Sequence, residues 1–158
     1  MQPSLASLVC TALMRIGTHM ATGFDQHFAE QKMTQAQFRM LLSTWLEGKH
    51  EGVTPSRLAD HMLVERATVS ALSRVLVERG WLKRIAGENR RSHRLVLTPA
   101  GGRQLEQLAP LAVQLAEDTL ADLSKAQLKA LLESLDLIES RLRSHKAGEQ
   151  ELEKRVKS

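Results

Sequence analysis

At 158 residues and 42% hydrophobic content, the chain has room for one domain, or one domain with appended helices. Aromatics at 3% make the expected core aliphatic, and a formal charge of +4 is too small to define a class alone. One cysteine excludes an internal disulfide or thiolate cluster, and no apolar run reaches the ~18–20 residues of a membrane span. The N-terminus also lacks a signal-peptide pattern, so a cytoplasmic protein with no membrane contact is expected.

The first helix is marked by Leu5, Leu8, Val9, Ala12, Leu13, Ile16, Met20, Phe24 and Phe28 at helical spacing. A stripe of that length implies packing against a partner as well as against its own core. Thr34-Gln35-Ala36-Gln37 fits a capping box, in which hydroxyl and amide side chains satisfy orphan backbone donors. It opens a second helix, Thr34 to about Leu46, with Phe38, Leu41, Leu42 and Trp45 expected inward. A polar turn, Gly48 to Gly52, leads to Thr54-Pro55, a capping hydroxyl before a proline whose missing N–H costs nothing there. The short helix that follows, to about Met62, carries Leu58, Ala59 and Met62.

After Leu63-Val64-Glu65 comes a helix from about Glu65 to Arg79. At 100° per residue, Thr68, Val69, Leu72, Val75 and Leu76 share one arc, while Arg66, Ser70, Ala71 and Arg74 fall opposite, with Val77 among them. Gly80 supplies a left-handed cap. Trp81–Ala86 and Arg94–Leu97 read as strands around the polar turn Glu88-Asn89-Arg90-Arg91-Ser92-His93. Thr98-Pro99 and Ser124-Lys125-Ala126-Gln127 start two long helices. Leu105, Leu108, Leu111, Leu115 and Leu120 line the first, with Pro110 as an expected kink; Leu128, Leu131, Leu132, Leu135, Ile138 and Leu142 line the second. From Lys146 the chain is charged and weakly apolar, and a frayed extension or a disordered tail is expected.

Charge is concentrated in the middle. Thr54 to Arg103 holds ten Lys/Arg against four Asp/Glu, a balance of +6, while the flanks hold twelve against fourteen. Clustered cations resist burial, so the basic turn belongs in solvent or against an anion. Helix, helix, strand, basic turn and strand together read as a winged helix-turn-helix, and so as a reader of double-stranded DNA. A helix entering the major groove needs small or flexible polar residues: Arg66, Ser70 and Arg74 meet that need. Thr68, at the edge of the inward arc, is expected to touch a phosphate or cap the helix. Thr54 and Ser56 offer hydroxyls and N–H groups to phosphate. Arg90 and Arg91 suit a narrow, negative minor groove. The competing reading makes Arg66 and Arg74 surface ion-pair partners of Glu65 and Glu78.

From about Thr34 to Gly101 the sequence resembles the MarR family of bacterial transcriptional regulators. The resemblance rests on Thr54-Pro55-Ser56-Arg57-Leu58-Ala59, on Arg66-Ala67-Thr68-Val69-Ser70 followed by Glu78-Arg79-Gly80, and on Asn89-Arg90-Arg91 leading to Leu97-Thr98-Pro99-Ala100-Gly101. It implies a mainly α fold with a small β-hairpin: a winged helix-turn-helix over 34–100, dimerisation helices at 1–33 and 101–146, and a charged tail at 147–158, all in one domain. It further implies a homodimer on a pseudo-palindromic operator, with the Glu65–Arg79 helix as recognition helix and Arg91 as the wing arginine. Members commonly act as repressors released by a small phenolic or aromatic acid between the dimer helices and the winged domain. Two positions depart from the pattern. Asn89 stands where the family usually has an acid, so the wing ion pair cannot form and a looser wing is expected. Ala71 replaces a longer polar residue.

Cys10 sits at about the position of the reactive cysteine in the peroxide-sensing branch, which makes a thiol-based oxidant sensor an alternative. That branch holds tyrosines beside the thiol; here Met14 and Phe24 occupy those places, and the default is a small hydrophobic core or interface residue. His19 and His27 on the first helix are candidates to line an effector pocket. The six histidines show no metal-ligand spacing, and no metal or cofactor is expected. A further alternative is a winged helix used for protein contact, which predicts an apolar or acidic recognition face. No glycine-rich phosphate loop, nucleophile elbow or acid/base pair supports an enzyme.

Overall fold

The computed structural model describes residues 2–49, 51–89 and 92–156, with side chains described to residue 145. Over these residues the chain forms α1 (Leu5–Phe28), a 3-10 turn (Ala29–Gln31), α2 (Gln35–Gly48), α3 (Pro55–Met62) and α4 (Arg66–Glu78). The hairpin strands β1 (Leu82–Ala86) and β2 (His93–Leu97) follow, then α5 (Pro99–Thr119) and α6 (Lys125–Val156). The mainly helical class with one small hairpin is therefore as the sequence predicts. By packing, the chain separates into two compact units, Met1–Ala112 and Val113–Ser158. None of the described helices is long and apolar enough to cross a membrane.

All four helix starts read from the sequence are present as hydrogen bonds. Thr34 and Gln37 form the reciprocal box, with Gln37 N–H donating to Thr34 Oγ1 at 3.2 Å and Thr34 N–H to Gln37 Oε1 at 3.1 Å. Ser124 and Gln127 repeat it at 3.0 and 3.3 Å. Thr54 Oγ1 accepts from Arg57 N–H, and Thr98 Oγ1 from Gly101 N–H. Each such cap is worth about 1 kcal/mol.

The core of the first unit gathers Met40 and Leu41 of α2, Leu58 of α3, Val69 and Leu76 of α4, Leu82 of β1 and Leu95 of β2, all fully buried. Fully burying one such side chain contributes roughly 1.5–3 kcal/mol. The strands pair antiparallel from Leu82↔Leu97 to Ala86↔His93, and Val53 adds a bridge to Leu95 with N···O distances of 2.8 and 2.9 Å. Gly52 permits that approach: its φ is +76°, and a Cβ there would sit 2.8 Å from Val96 Cγ2.

Trp45 corrects the expectation for α2. Phe38 and Leu41 are buried and Leu42 is half-buried, but Trp45 is 57% exposed. The end of α2 rotates its Thr44–Gly48 side inward because Val53 fills the space beside Gly48, and Trp45 is carried outward. Thr44 is buried at no cost to its hydroxyl, which donates to the Met40 carbonyl at 2.8 Å. At the C-terminus α6 is helical through Val156, so the residues past Lys146 extend the helix. Its added residues are mostly Glu, Gln, Lys, Arg and Leu, which favour helix without needing a buried face. Helix α5 continues on both sides of Pro110.

Candidate nucleic-acid interface

Helices α3 and α4 are joined by a turn in which Leu63 adopts a left-handed conformation (φ 54°). Val64 N–H returns to the Ala59 carbonyl at 3.0 Å, closing the end of α3. Arg39 of α2 reaches the same corner, donating from Nη2 to the Met62 carbonyl at 3.2 Å. On the other side of α3, Glu47 of α2 accepts from Arg57 Nε at 2.7 Å and lies 3.4 Å from His61 Nδ1. Helix α3 is thus tied to α2 near both of its ends.

Within α4, Val69, Ser73 and Leu76 are buried. Arg66, Ala67, Thr68, Ser70, Ala71 and Arg74 are exposed, so small, hydroxyl-bearing and basic side chains occupy the open face. Arg66 and Arg74 make no ion pair among the described residues. Thr68 does not cap α4: Glu65 holds the N-cap position in extended conformation, and Thr68 faces solvent. Thr54 and Ser56 are half-buried at the start of α3, where the Thr54 hydroxyl is engaged as a cap. Arg79 ties the far end of α4 down, donating to the Lys32 carbonyl and lying 4.9 Å over the Trp81 ring.

The wing leaves β1 at Gly87 and re-enters β2 at His93. Arg90 and Arg91 lie outside the described residues. On either side of them the turn is closed by Asn89 and Ser92: Asn89 N–H donates to Ser92 Oγ at 3.0 Å, and Ser92 N–H to the Asn89 carbonyl at 3.0 Å. Gly87 fits because a Cβ there would collide with the Ser92 side chain. Arg94 pairs with Glu88 at 2.8 Å and also donates to the Gly52 carbonyl at 3.4 Å.

Away from this surface, α1 and α2 enclose a cleft of about 400 Å³ lined by Gly17, Met20, Ala21, Phe24, Gln35, Phe38 and Arg39. Gly17 and Ala21 leave the room, the two phenylalanines give flat walls, and Gln35 and Arg39 bring the polar groups. Asp25 of α1 braces the rim by accepting from Gln35 N–H at 2.6 Å. His19 and His27 are exposed and are not among its lining residues; His27 Nδ1 lies 2.8 Å from the Gly23 carbonyl. Cys10 is exposed on α1. Among the described residues no group of three or more His, Cys, Asp or Glu is placed to hold a metal ion. Sequence reasoning passed over Gln35 and Arg39; their i, i+4 spacing beside Phe38 is the signal that finds them.

Comparison with known proteins converges on one family. Residues 33–93 match the family model described as MarR family. The chain is 26% identical over 129 residues to the HTH-type transcriptional regulator PecS of Dickeya dadantii (strain 3937), across 79% of this chain and 78% of PecS. Its fold is similar to that of Bordetella bronchiseptica BpsR, whose DNA binding is regulated by 6-hydroxynicotinic acid: TM-score 0.74, 23% identity, 89% of this chain and 99% of that one. It is likewise similar to S. aureus MepR in its DNA complex, with a TM-score of 0.75, 19% identity, and 89% and 99% coverage. The matched family and PecS are transcriptional regulators rather than enzymes.

Proposed function

We propose that this chain, which belongs to the MarR family of transcriptional regulators, acts as a homodimeric repressor that leaves its operator when a small aromatic effector fills the cleft between α1 and α2. The observation that carries the reading is the open face of α4. It joins Arg66, Ser70 and Arg74 on a helix whose other side is locked into the core, as insertion into a major groove requires. Thr54, Ser56 and Thr68 would contact phosphates, and Arg90 and Arg91 the minor groove. A protein-contact module would present an apolar or acidic face there instead.

Dimerisation is supported by leucine-rich surface that the described residues leave uncovered. Leu5, Leu8, Val9, Met14 and Ile16 are exposed on α1, and Leu131, Leu132, Leu135, Ile138 and Leu142 on α6. A second copy supplies the cover that such surfaces need in water. The effector follows from the cleft's flat apolar walls with two polar groups, a lining suited to a small aromatic molecule. BpsR, which has the same fold, answers to one such molecule.

The test is light scattering on the purified protein, followed by footprinting on DNA selected from a random pool. A dimer protecting two half-sites centred roughly 34 Å apart is expected. A monomer, or a protein indifferent to duplex DNA at low salt, would refute the reading.

A further inference from the structure

Arg39 stands at two places at once. It is one of the residues lining the α1–α2 cleft, and its guanidinium donates to the carbonyl of Met62, the last residue of α3. Beyond that carbonyl lies Leu63, a branched residue held at φ 54°, and then Glu65, the cap of the DNA-reading helix. A non-glycine residue in that conformation is strained by roughly 1 kcal/mol or more and persists only where its neighbours hold it. The bond from Arg39 is one of the ties holding this corner.

We infer that Arg39 is the positioning residue through which an anion in the cleft reaches the helix-turn-helix, and that it makes the response selective for carboxylates over neutral molecules of the same shape. This rests on the cleft being an effector site. Among the described residues Arg39 is the one charged residue in the cleft lining, so it sets the sign of ligand the site prefers. A carboxylate offers the guanidinium two parallel charge-assisted bonds, each shorter and stronger than a bond to a neutral carbonyl. The existing bond to Met62 is single and, at 3.2 Å, at the long end of the hydrogen-bond range. A bound carboxylate therefore draws the fork toward the cleft and off Met62. The Leu63 corner then loses a constraint, and α4 loses the fixed angle at which it presents Arg66 and Arg74. A neutral amide of the same outline fills the same apolar walls but has no charge with which to compete.

The experiment pairs benzoate, salicylate and 6-hydroxynicotinate with their uncharged amides. It measures binding to the wild-type dimer by calorimetry and release of bound operator by fluorescence anisotropy. The same measurements are repeated on Arg39→Met, which keeps the apolar stem, and on Arg39→Lys, which keeps the charge without the fork. In the wild type, at least one acid is expected to bind about tenfold more tightly than its amide and to release DNA where the amide does not. Arg39→Met lacks the bond to Met62 from the start, so it should bind operator more weakly than the unliganded wild type; acid and amide should bind it alike, and neither should weaken its hold on DNA further. Arg39→Lys should recover the preference for acid but little of the release. Amide hydrogen exchange at residues 63–66 should quicken in Arg39→Met and in the acid-bound wild type, but not with the amide. If Arg39→Met still binds an acid and lets go of DNA as the wild type does, the role of Arg39 is refuted while the cleft survives. If no acid or amide binds the wild type, the cleft reading falls and takes this one with it.

Discussion

Helices α4 and α6 carry the same kind of sequence signal, an apolar stripe at helical spacing, and meet opposite fates. The stripe of α4 is covered: Val69 and Leu76 are fully buried, and what remains outside is arginine, serine, threonine and alanine. The stripe of α6 is open, with Leu132 60% and Leu142 54% exposed. Periodicity identifies a face that must leave water, but it does not say whether the cover comes from the same chain or from another. In α4 the matter is closed by the hairpin and by α2 and α3. In α6 the described residues leave it open, at the place where the proposed second copy would pack, which is why the polar face of one helix and the apolar face of the other are both read as working surfaces.

The sharpest way to break this comparison is to make the open stripe comfortable in water. Replacing Leu132 and Leu135 together with glutamate should give monomers in sedimentation velocity. It should weaken operator binding by roughly 10²–10⁴-fold, the advantage that linking two half-site readers confers. A double variant that stays dimeric with full affinity would move the interface away from α6. A smaller effect comes from the closed helix. Arg74→Ala is expected to cost about 1–3 kcal/mol of operator affinity and to relax preference at one base pair per half-site. The thermal midpoint should stay put, because the side chain is exposed; equal losses on all sequences would make Arg74 a phosphate contact instead. The mildest change is Arg91→Ala, which should lower affinity on every sequence and reduce the slope of log affinity against log salt by about 1. An unchanged slope would argue against a wing seated on DNA.

Much of the fold was legible because its punctuation is local. Capping pairs such as Thr34/Gln37 and Ser124/Gln127 involve residues three apart, and their chemistry does not depend on what the helix later packs against. The open face of α4 was legible for a related reason, since a short helix with one apolar arc has only one way to turn. Trp45 was misjudged because its direction depends on Val53, eight residues on, which joins β2 and fixes the rotation of α2. The candidate site divides along the same line. The exposure of Arg66, Ser70 and Arg74 on one face follows from the pattern, whereas Arg39 acquires its interest only from Met62, 23 residues away. Past Lys146 the composition fits either an extension or a disordered tail and does not choose between them, because a helix already begun can be propagated by residues of good helix propensity without an apolar stripe.

The clip between Val53 and Leu95 bears on how this protein could be re-engineered. It fastens the approach to α3 onto the returning strand of the wing, and Arg94 adds a second fastening at Gly52. The two limbs aimed at the duplex therefore share one hinge pin, and a graft that swaps the wing alone would leave its donor strand pinned to a foreign socket. Transplanting a wing from a relative should succeed only when positions 52–53 and 94–96 travel with it as a unit.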